Sequence, residues 1–248
     1  ASWSVDETLS VTDSTGVTVQ WSFITESLRS SCHEKGSHGY GSLIRFGNGN
    51  VTYYANLFAH HDSRNPRLGD NITLDFVNNL VYNWGSTAGY SGAAEEGNTR
   101  LNLVGNTYLP GPSSGNRNRA FLGGSTNTTV YLENNSINGA DTEWQMISGN
   151  YTRREESRHE TLQIERVSPP EAAALGVLQR GGASKFRDAV DQRLVDQVRS
   201  RSGRIINSPR EVGGLPAIAA ATAPPDSDHD GMPDEWERRN GLNPSDPS

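Results

Sequence analysis

A phrase that recurs five times along the first 135 residues constrains the fold of this chain more than any other feature. Each copy has an apolar residue five positions before an Asn or Ser, which opens a further short and mostly apolar run. The copies begin at Val17, Val51, Leu74, Leu101 and Val130, so their spacings are 34, 23, 27 and 29 residues. A loose period of β-rich units is typical of a solenoid whose loops differ in length.

This repeat predicts an all-β fold, a parallel β-helix over residues 1–150. Four of the five copies carry Asn at the same position, and stacked Asn side chains can hydrogen-bond to one another and to the backbone. An antiparallel sandwich, in which Asn only marks turns, is the alternative interpretation.

The composition agrees with a solenoid and narrows the possible partners. Hydrophobic residues make up 33% of the chain, as expected for a thin core with many polar turns. The net charge of -7 argues against a nucleic-acid partner, although a local group of arginines can still bind a polyanion. Cys32 is the single cysteine, which excludes an intramolecular disulfide. No apolar run is long enough for a membrane span, and we expect a monomer.

The pattern changes after residue 150. Residues 151–215 read as a helical extension that packs on the solenoid. Its first helix is predicted over 171–179, behind a capping box at Ser168–Glu171, and its second over 185–201. The second helix has an apolar stripe of Phe186, Val190, Leu194 and Val198. Residues 216–225 form a linker of small residues and proline, and 226–248 form an acidic module.

The acidic module matches an EF-hand loop, in which alternating side chains supply hard oxygen ligands for Ca²⁺ and Gly231 permits the sharp turn at position six. It also resembles the single calcium-binding repeats at the ends of many secreted bacterial proteins. We therefore predict a structural calcium site or a surface-attachment module, with a flexible acidic tail as the alternative. The predicted ligands are Asp226, Asp228, Asp230, the carbonyl of Met232, Asp234 and Glu237.

Two arginines three positions apart flank a proline in the loop that follows the second copy of the repeat, which reads FAHHDSRNPR. A bare arginine pair is more often a surface ion-pairing feature, but the surrounding phrases give this one weight. The chain resembles the pectate lyases of polysaccharide lyase family 1, particularly the bacterial pectate trisaccharide-lyase type. The phrases that carry the resemblance span residues 2–112 and are SWSVDETLSV, HGYGSLI, NLFAHHDSRNPR, DFVNNLVYNWG and NLVGNTYLPGP.

The resemblance implies a right-handed parallel β-helix that cleaves α-1,4-linked polygalacturonate by β-elimination with Ca²⁺. In the family, the arginine that opens an Arg-x-Pro motif removes the C5 proton, and Arg64 holds that position here. Arg67 is similar to the neighbouring substrate-binding arginine. Because free arginine is protonated, a base role requires a pKa lowered by desolvation and by nearby cations. Otherwise Arg64 neutralises an enolate-like intermediate electrostatically.

Further site residues follow from the same resemblance. Asp6 matches a calcium-site aspartate of the family, but the position four residues later is Ser10 where the family often has a carboxylate. The adjacent Glu7 is expected to point to the opposite face of a strand. The family also has a lysine near the phrase HGYGSLI. Here His38 lies at the equivalent position and Lys35 lies in the preceding loop, so both are substrate-binding candidates.

Aromatic and histidine side chains add weaker candidates. Tyr82, Trp84 and Tyr90 could stack on sugar rings, but core packing is the favoured interpretation for Tyr82, and Trp84 beside Gly85 is open to either. The successive His60 and His61 would form a metal pair only if their loop bends. The chain opens on ASWSVDE, which is typical of the middle of a coil, so we expect further coils and an export signal before residue 1.

The resulting prediction is a secreted or cell-surface pectate lyase that gives unsaturated oligogalacturonides. A non-catalytic carbohydrate-binding or structural β-helix at the cell surface is the alternative. An Arg64→Ala change separates them, because it should abolish turnover and leave polygalacturonate binding intact. A β-helix glycoside hydrolase would need clustered carboxylates, and residues 40–110 offer none in sequence.

Overall fold

The repeat folds into a parallel β-solenoid, seen in a computed structural model that describes residues 1–141, 143–161, 164, 167–217 and 222–247. The chain divides into two units, Ala1–Leu215 and Pro216–Ser248. Successive strands within the first unit pair in parallel with the strands one turn away, and the one antiparallel pair among the described strands lies at the end of one sheet. The predicted all-β parallel β-helix is therefore confirmed.

Each turn of the solenoid contributes one strand to each of three faces. The first face contains β1 (Glu7–Thr12), β4 (Tyr40–Arg45), β7 (Arg67–Leu68) and β10 (Gly89–Ser91). The second contains β2 (Val17–Gln20), β5 (Asn48–Tyr54), β8 (Asn71–Val77) and β11 (Thr99–Val104). The third contains β3 (Phe23–Thr25), β6 (Leu57–Ala59), β9 (Leu80–Tyr82), β12 (Thr107–Leu109), β14 (Ser136–Ile137) and β15 (Ala140–Asp141).

Two long strands bend across the first two faces and join them into one sheet. These are β13 (Phe121–Glu133) and β16 (Ile147–Arg154), which pair in parallel with a register shift after Gly124. The first half of β13 pairs with β10, and its second half pairs with β11. The stacked turns therefore continue to the end of the solenoid.

The repeated apolar residues are register partners in the second face. Val17 pairs with Val51, Val51 with Leu74, Leu74 with Leu101, and Leu101 with Val130. All of them except Val17 are fully buried in one core cluster. Because each turn repeats the same inward position, the core is a column of apolar side chains.

An asparagine ladder runs along the bend between the second and third faces. The backbone N–H of Asn56 donates to Oδ1 of Asn79 at 2.9 Å, Asn79 donates to Asn106 at 2.9 Å, and Asn106 donates to Asn135 at 3.0 Å. Ser22 ends the ladder by donating its N–H to Asn56 at 2.9 Å. The Nδ2 groups donate to backbone carbonyls inside the turns, so the predicted stacking of asparagines is confirmed.

Two helices pack on the third face. They are α1 (Pro170–Arg180) and α2 (Ala189–Ser200). Val177 and Val198 lie in one buried cluster with Leu57 and Leu80 of the solenoid. Short 3₁₀ helices occur at Ala94–Glu96, Glu143–Met146 and Pro209–Val212.

Two local predictions in this region are wrong. Ser168 does not cap α1, because its backbone N–H and C=O bond instead to the side chain of Asn78. Phe186 lies before α2 and is 89% exposed, so the apolar stripe of that helix does not include it. Ser168 contacts the solenoid through Asn78, and Phe186 faces solvent. Sequence periodicity alone reveals neither environment.

The second unit contains one helix, α3 (Asp234–Asn240), which ends at Gly241 in the left-handed conformation. Among the described residues, no helix has the length and apolar character needed to cross a membrane.

Candidate active site

A row of polar and aromatic side chains crosses the first face at the beginnings of its strands. Glu7 opens β1 and is the register partner of Tyr40, which opens β4. Tyr40 in turn bridges to Ser63, the residue before Arg64. Arg67 of β7 follows in the same turn as Ser63 and Arg64, and it is the register partner of Tyr90 in β10, one turn further on. Stacking of turns thus brings together residues that are more than 80 positions apart in the sequence.

Arg64 lies at the centre of this row. Its backbone is in the left-handed region with φ 62°, which turns the side chain out of the strand direction. Nη1 donates to a carboxylate oxygen of Glu7, and Nε donates to the Tyr90 hydroxyl at 3.1 Å. The guanidinium carbon lies 3.8 Å from the centre of the Tyr40 ring, a cation–π contact. Three groups from three turns of the solenoid therefore fix one guanidinium.

The ion pair between Arg64 and Glu7 is largely shielded from water. The Arg64 side chain is 18% exposed and the Glu7 side chain 8%. Glu7 therefore faces Arg64, whereas Asp6 faces His33 and His38.

Arg67 belongs to a second charged group on the same face. Its Nη2 donates to Glu96 at 2.7 Å and its guanidinium lies 5.7 Å from the Tyr90 ring centre. Glu96 also faces Arg45 at 3.4 Å, and Arg45 pairs with Asp70 at 3.1 Å. Arg67 is 13% exposed, and the hydrogen bond to Asp70 raises the pKa of Arg45. Both arginines are therefore held in place by carboxylates.

Tyr40 stays a neutral hydroxyl in this setting. Burial raises its pKa, and the neighbouring Tyr90, Asp62 and Asp6 raise it further, while Arg29 acts in the opposite direction. A neutral phenol keeps its proton and can donate a hydrogen bond to an anionic ligand.

Asp6 lies beside two imidazoles. His33 Nε2 is 3.4 Å from Asp6 Oδ2, and His38 Nε2 is 3.8 Å from Asp6 Oδ1. The Asp6 Oδ1 atom is buried without a hydrogen-bond partner, which fits a cation. Ca²⁺, however, takes six to eight oxygen ligands, and two nitrogen donors next to one carboxylate do not fit it. The assignment of Asp6 as a calcium ligand is therefore not supported by its surroundings.

The other sequence candidates lie in different settings. Lys35 is exposed, and its backbone N–H donates to His33 Nδ1 at 3.1 Å. Tyr82 and Trp84 are 1% and 0% exposed, so both pack in the core and neither is free to stack on a sugar. Tyr90 is partly exposed and contacts Arg64. Lys35 and His38 stay predictions as substrate-binding residues.

His60 and His61 are buried and neutral and do not form a metal pair. Burial lowers the pKa of His60 to about 4 and that of His61 to about 3. His61 Nδ1 bonds to the Ser27 hydroxyl at 2.7 Å, and its Nε2 bonds to the Ile24 carbonyl at 2.9 Å. With both nitrogens used inside the protein, His61 is a structural residue.

The loop of the second unit gathers three carboxylates. Asp226, Asp228 and Asp230 have ligand oxygens within 4.8 Å of one another. One carboxylate oxygen each of Asp228, Asp230 and Glu237 is buried without a hydrogen-bond partner. Burial raises the pKa of Glu237, as do the surrounding Asp residues. Unpartnered hard oxygens crowded together are a donor set that fits Ca²⁺.

Asp234 stands apart from this group. Its carboxylate accepts from the Ser227 N–H at 2.7 Å and from the Ser227 hydroxyl at 2.9 Å, and it pairs with Arg238. These hydrogen bonds from Ser227, together with Arg238, lower the pKa of Asp234. The geometry therefore does not support Asp234 as a direct metal ligand.

Sequence reasoning missed Tyr40, His33 and Glu96 and set Glu7 aside. The signal that could have found Tyr40 and Glu7 is register, since both residues open strands of the same face in successive turns. Glu96 lies in a long loop between β10 and β11, where the sequence carries no period to locate it.

A parallel β-helix with an arginine held in a polar row on one face is the arrangement that the resemblance to polysaccharide lyases implies. Comparison with known proteins agrees. The chain is 33% identical over 98% of its length to proteins named probable pectate lyase C from Aspergillus flavus and Neosartorya fischeri, and 32% identical to one from Emericella nidulans. The resemblance to pectate lyases is therefore confirmed. No protein-family model matches the chain.

The match has two further properties. The chain spans 58% of the length of the relatives from Aspergillus flavus and Neosartorya fischeri. Because 98% of this chain is aligned, the match takes in residues of the C-terminal unit as well as the solenoid.

Proposed function

We propose that this chain is the catalytic part of a secreted pectate lyase that cleaves α-1,4-polygalacturonate by β-elimination and releases unsaturated oligogalacturonides. The observation that carries the proposal is the environment of Arg64, which Glu7, Tyr40 and Tyr90 hold from three different turns. The similarity to proteins named as pectate lyases supports the same reaction.

The charges on the first face suit a polyuronate. Arg64 and Arg67 come from the same turn, and each guanidinium is oriented by a carboxylate on one side and Tyr90 on the other. A separate groove is lined by Arg29 and Arg204, whose side chains are 52% and 62% exposed and face Asp62 and Glu211. Guanidinium groups bind carboxylates in a bidentate manner, so this face can hold several uronate residues despite the net negative charge of the chain.

The reaction needs a base for the C5 proton and a positive charge for the intermediate. Arg64 is the residue placed for either role, and a substrate carboxylate must first compete with Glu7 for its guanidinium. As long as the guanidinium stays charged, Arg64 stabilises the enolate-like intermediate. To act as the base, it would have to lose a proton in the desolvated complex. The Tyr40 ring packs on the same cation, and its neutral hydroxyl is a donor that a carboxylate can accept from.

Dependence on Ca²⁺ is the finer part of this proposal and follows from the family resemblance. When bound beside the substrate, Ca²⁺ would withdraw charge from the uronate carboxylate and acidify the C5 proton. The imidazole nitrogens beside Asp6 do not suit Ca²⁺, so Asp6 has no role as a calcium ligand in the proposed reaction. Residues 226–237 supply the oxygen-rich set in this chain and suit a structural role.

The test is ultraviolet absorbance of unsaturated product with polygalacturonate and Ca²⁺. We expect Arg64→Ala to lower turnover by about 10²–10⁴-fold while binding of polygalacturonate remains. Arg199→Ala is the matched control, because it removes one exposed guanidinium from α2. Turnover that survives in Arg64→Ala would exclude the proposed role of Arg64.

A non-catalytic carbohydrate-binding β-helix is the second candidate. The specific observation in its favour is that the Arg64 guanidinium is already paired with Glu7. The same assay separates the two, since this candidate predicts binding of polygalacturonate by the unaltered chain without any rise in absorbance.

A further inference from the structure

We propose that Asp6, His33 and His38 form a binding site for a divalent transition metal of the zinc class. The ligand atoms of the three side chains lie within 4.8 Å of one another. Tetrahedral sites with metal–ligand bonds of about 2.0–2.1 Å place neighbouring ligand atoms roughly 3.4 Å apart. His33 Nε2 lies 3.4 Å from Asp6 Oδ2 and His38 Nε2 lies 3.8 Å from Asp6 Oδ1, so each imidazole is near that spacing from one oxygen of the carboxylate.

The carboxylate of Asp6 has unused capacity at this point. Its Oδ1 is buried without a hydrogen-bond partner, although 42% of the Asp6 side chain is exposed. A buried acceptor that lacks a donor costs free energy, which a bound cation would remove. The exposed part of the side chain provides the path by which an ion and its remaining water ligands reach the site.

The donor set selects the class of metal. Imidazole nitrogen suits Zn²⁺, Co²⁺, Ni²⁺ and Cu²⁺, whereas Ca²⁺ requires oxygen. Among the described residues, one other group of three such side chains has its ligand atoms this close, and it contains only Asp226, Asp228 and Asp230. The chain therefore has two sites of different chemistry, one for a nitrogen-preferring metal and one for Ca²⁺.

Metal binding requires a change in the arrangement of the two imidazole rings and their hydrogen bonds. The rings of His33 and His38 stack with their centres 4.0 Å apart and an angle of 6° between their planes. Because the nitrogen lone pairs lie in these nearly parallel planes, they do not point at a common atom. One ring must rotate for both Nε2 atoms to face a single ion. His33 Nδ1 accepts from the Lys35 N–H at 3.1 Å, and coordination through Nε2 moves the ring proton to Nδ1 and opens this contact. The conformation of the loop between His33 and His38 should therefore change when the metal binds.

The metal would lie next to the arginine row. His38 contacts the Tyr40 ring at 4.7 Å between ring centres, and Tyr40 packs on Arg64 at 3.8 Å. A cation at Asp6 would therefore add positive charge close to Tyr40 and Arg64. This inference does not depend on the proposed lyase activity, because it concerns binding of an ion to the substrate-free protein.

The experiment is a titration of the metal-free full chain with Co²⁺, in excess Ca²⁺ to fill the acidic loop, followed by visible absorption spectroscopy. We expect the intense bands of tetrahedral Co²⁺ with nitrogen ligands, and their loss on addition of Zn²⁺. His33→Ala and His38→Ala should each weaken binding by at least about tenfold, and Asp6→Asn, which keeps the side-chain shape, should do the same.

His229→Ala is the matched control, because His229 is an exposed histidine in the acidic loop and its loss should leave the titration unchanged. A spectrum typical of six oxygen ligands would overturn the proposal. So would a Co²⁺ affinity that Asp6→Asn, His33→Ala and His38→Ala all leave intact in folded protein.

Discussion

Arg64 is oriented by the carboxylate of Glu7, which is a positioning residue in the proposed reaction. Glu7→Gln should lower the turnover number by about 10-fold to 10²-fold, because the guanidinium loses its fixed direction, and it should lower KM, because the substrate carboxylate no longer competes with Glu7. It should also reduce the free energy of unfolding by about 1–3 kcal/mol, since a shielded cation loses its partner.

Steady-state kinetics and urea unfolding check both effects. Glu34→Gln is the control, because it removes one exposed carboxylate from the loop that carries His33. Equal turnover in the Glu7 and Glu34 variants would show that the ion pair does not position Arg64.

Two buried histidines make stability depend on pH. The folded-state pKa values of about 4 for His60 and about 3 for His61 lie below the ordinary value of 6.5. In acid the unfolded chain therefore binds more protons than the folded chain. The contribution of these neutral histidines to the free energy of unfolding is fully present above pH 6.5. It falls as the pH decreases towards 4, by roughly 1.4 kcal/mol per pH unit for each histidine.

The slope of unfolding free energy between pH 6.5 and 4 measures this effect. His61→Asn keeps an acceptor in the place of Nδ1 and should reduce the slope, whereas His229→Asn changes an exposed residue and should not. An unchanged slope in His61→Asn would mean that His61 binds a proton in the folded protein.

The asparagine ladder is the element that fixes the register of the turns. Asn79 lies inside it, donating to Asn106 and to the Tyr53 carbonyl and accepting from Asn56. Asn79→Ala leaves several buried groups unpaired, at about 1–3 kcal/mol for each. We expect a loss of several kcal/mol in urea unfolding, against little change for Asn48→Ala, which alters an exposed residue of β5. A small loss in Asn79→Ala would mean that backbone pairing alone sets the register.

The same elements explain which parts of the structure could be predicted from sequence. The inward apolar residues and the asparagines repeat once per turn, so register and fold follow from their spacing. The site does not repeat, because Asp6 and Arg64 lie in segments between strands whose backbone direction has no sequence period. That is why the contact of Glu7 with Arg64 and that of His33 with Asp6 were not predicted.

At the scale of the whole molecule, the net charge is -7, and the arginines of the first face lie among carboxylates. Arg64 and Arg67 are both paired with carboxylates, so part of their charge is neutralised until a polyuronate displaces those partners. Exchange of one carboxylate for another costs less than exposing a bare cation, and it makes binding sensitive to salt. Substrate affinity should therefore fall as ionic strength rises.

The C-terminal unit should respond to Ca²⁺ separately from the solenoid. Its loop brings the Asp228 and Asp230 carboxylates together with Glu237, and their unpartnered oxygens repel one another until a cation binds. We expect calorimetry of the full chain to give one calcium-binding event that Asp228→Asn weakens at least about tenfold, by removal of a charged ligand. Asp246→Asn, an exposed change in the same unit, should have no effect.

Because Ca²⁺ stabilises the folded loop, tryptic cleavage after Arg238 in α3 should slow when Ca²⁺ is added. Cleavage at the same rate with and without Ca²⁺ would show that the loop does not bind the ion.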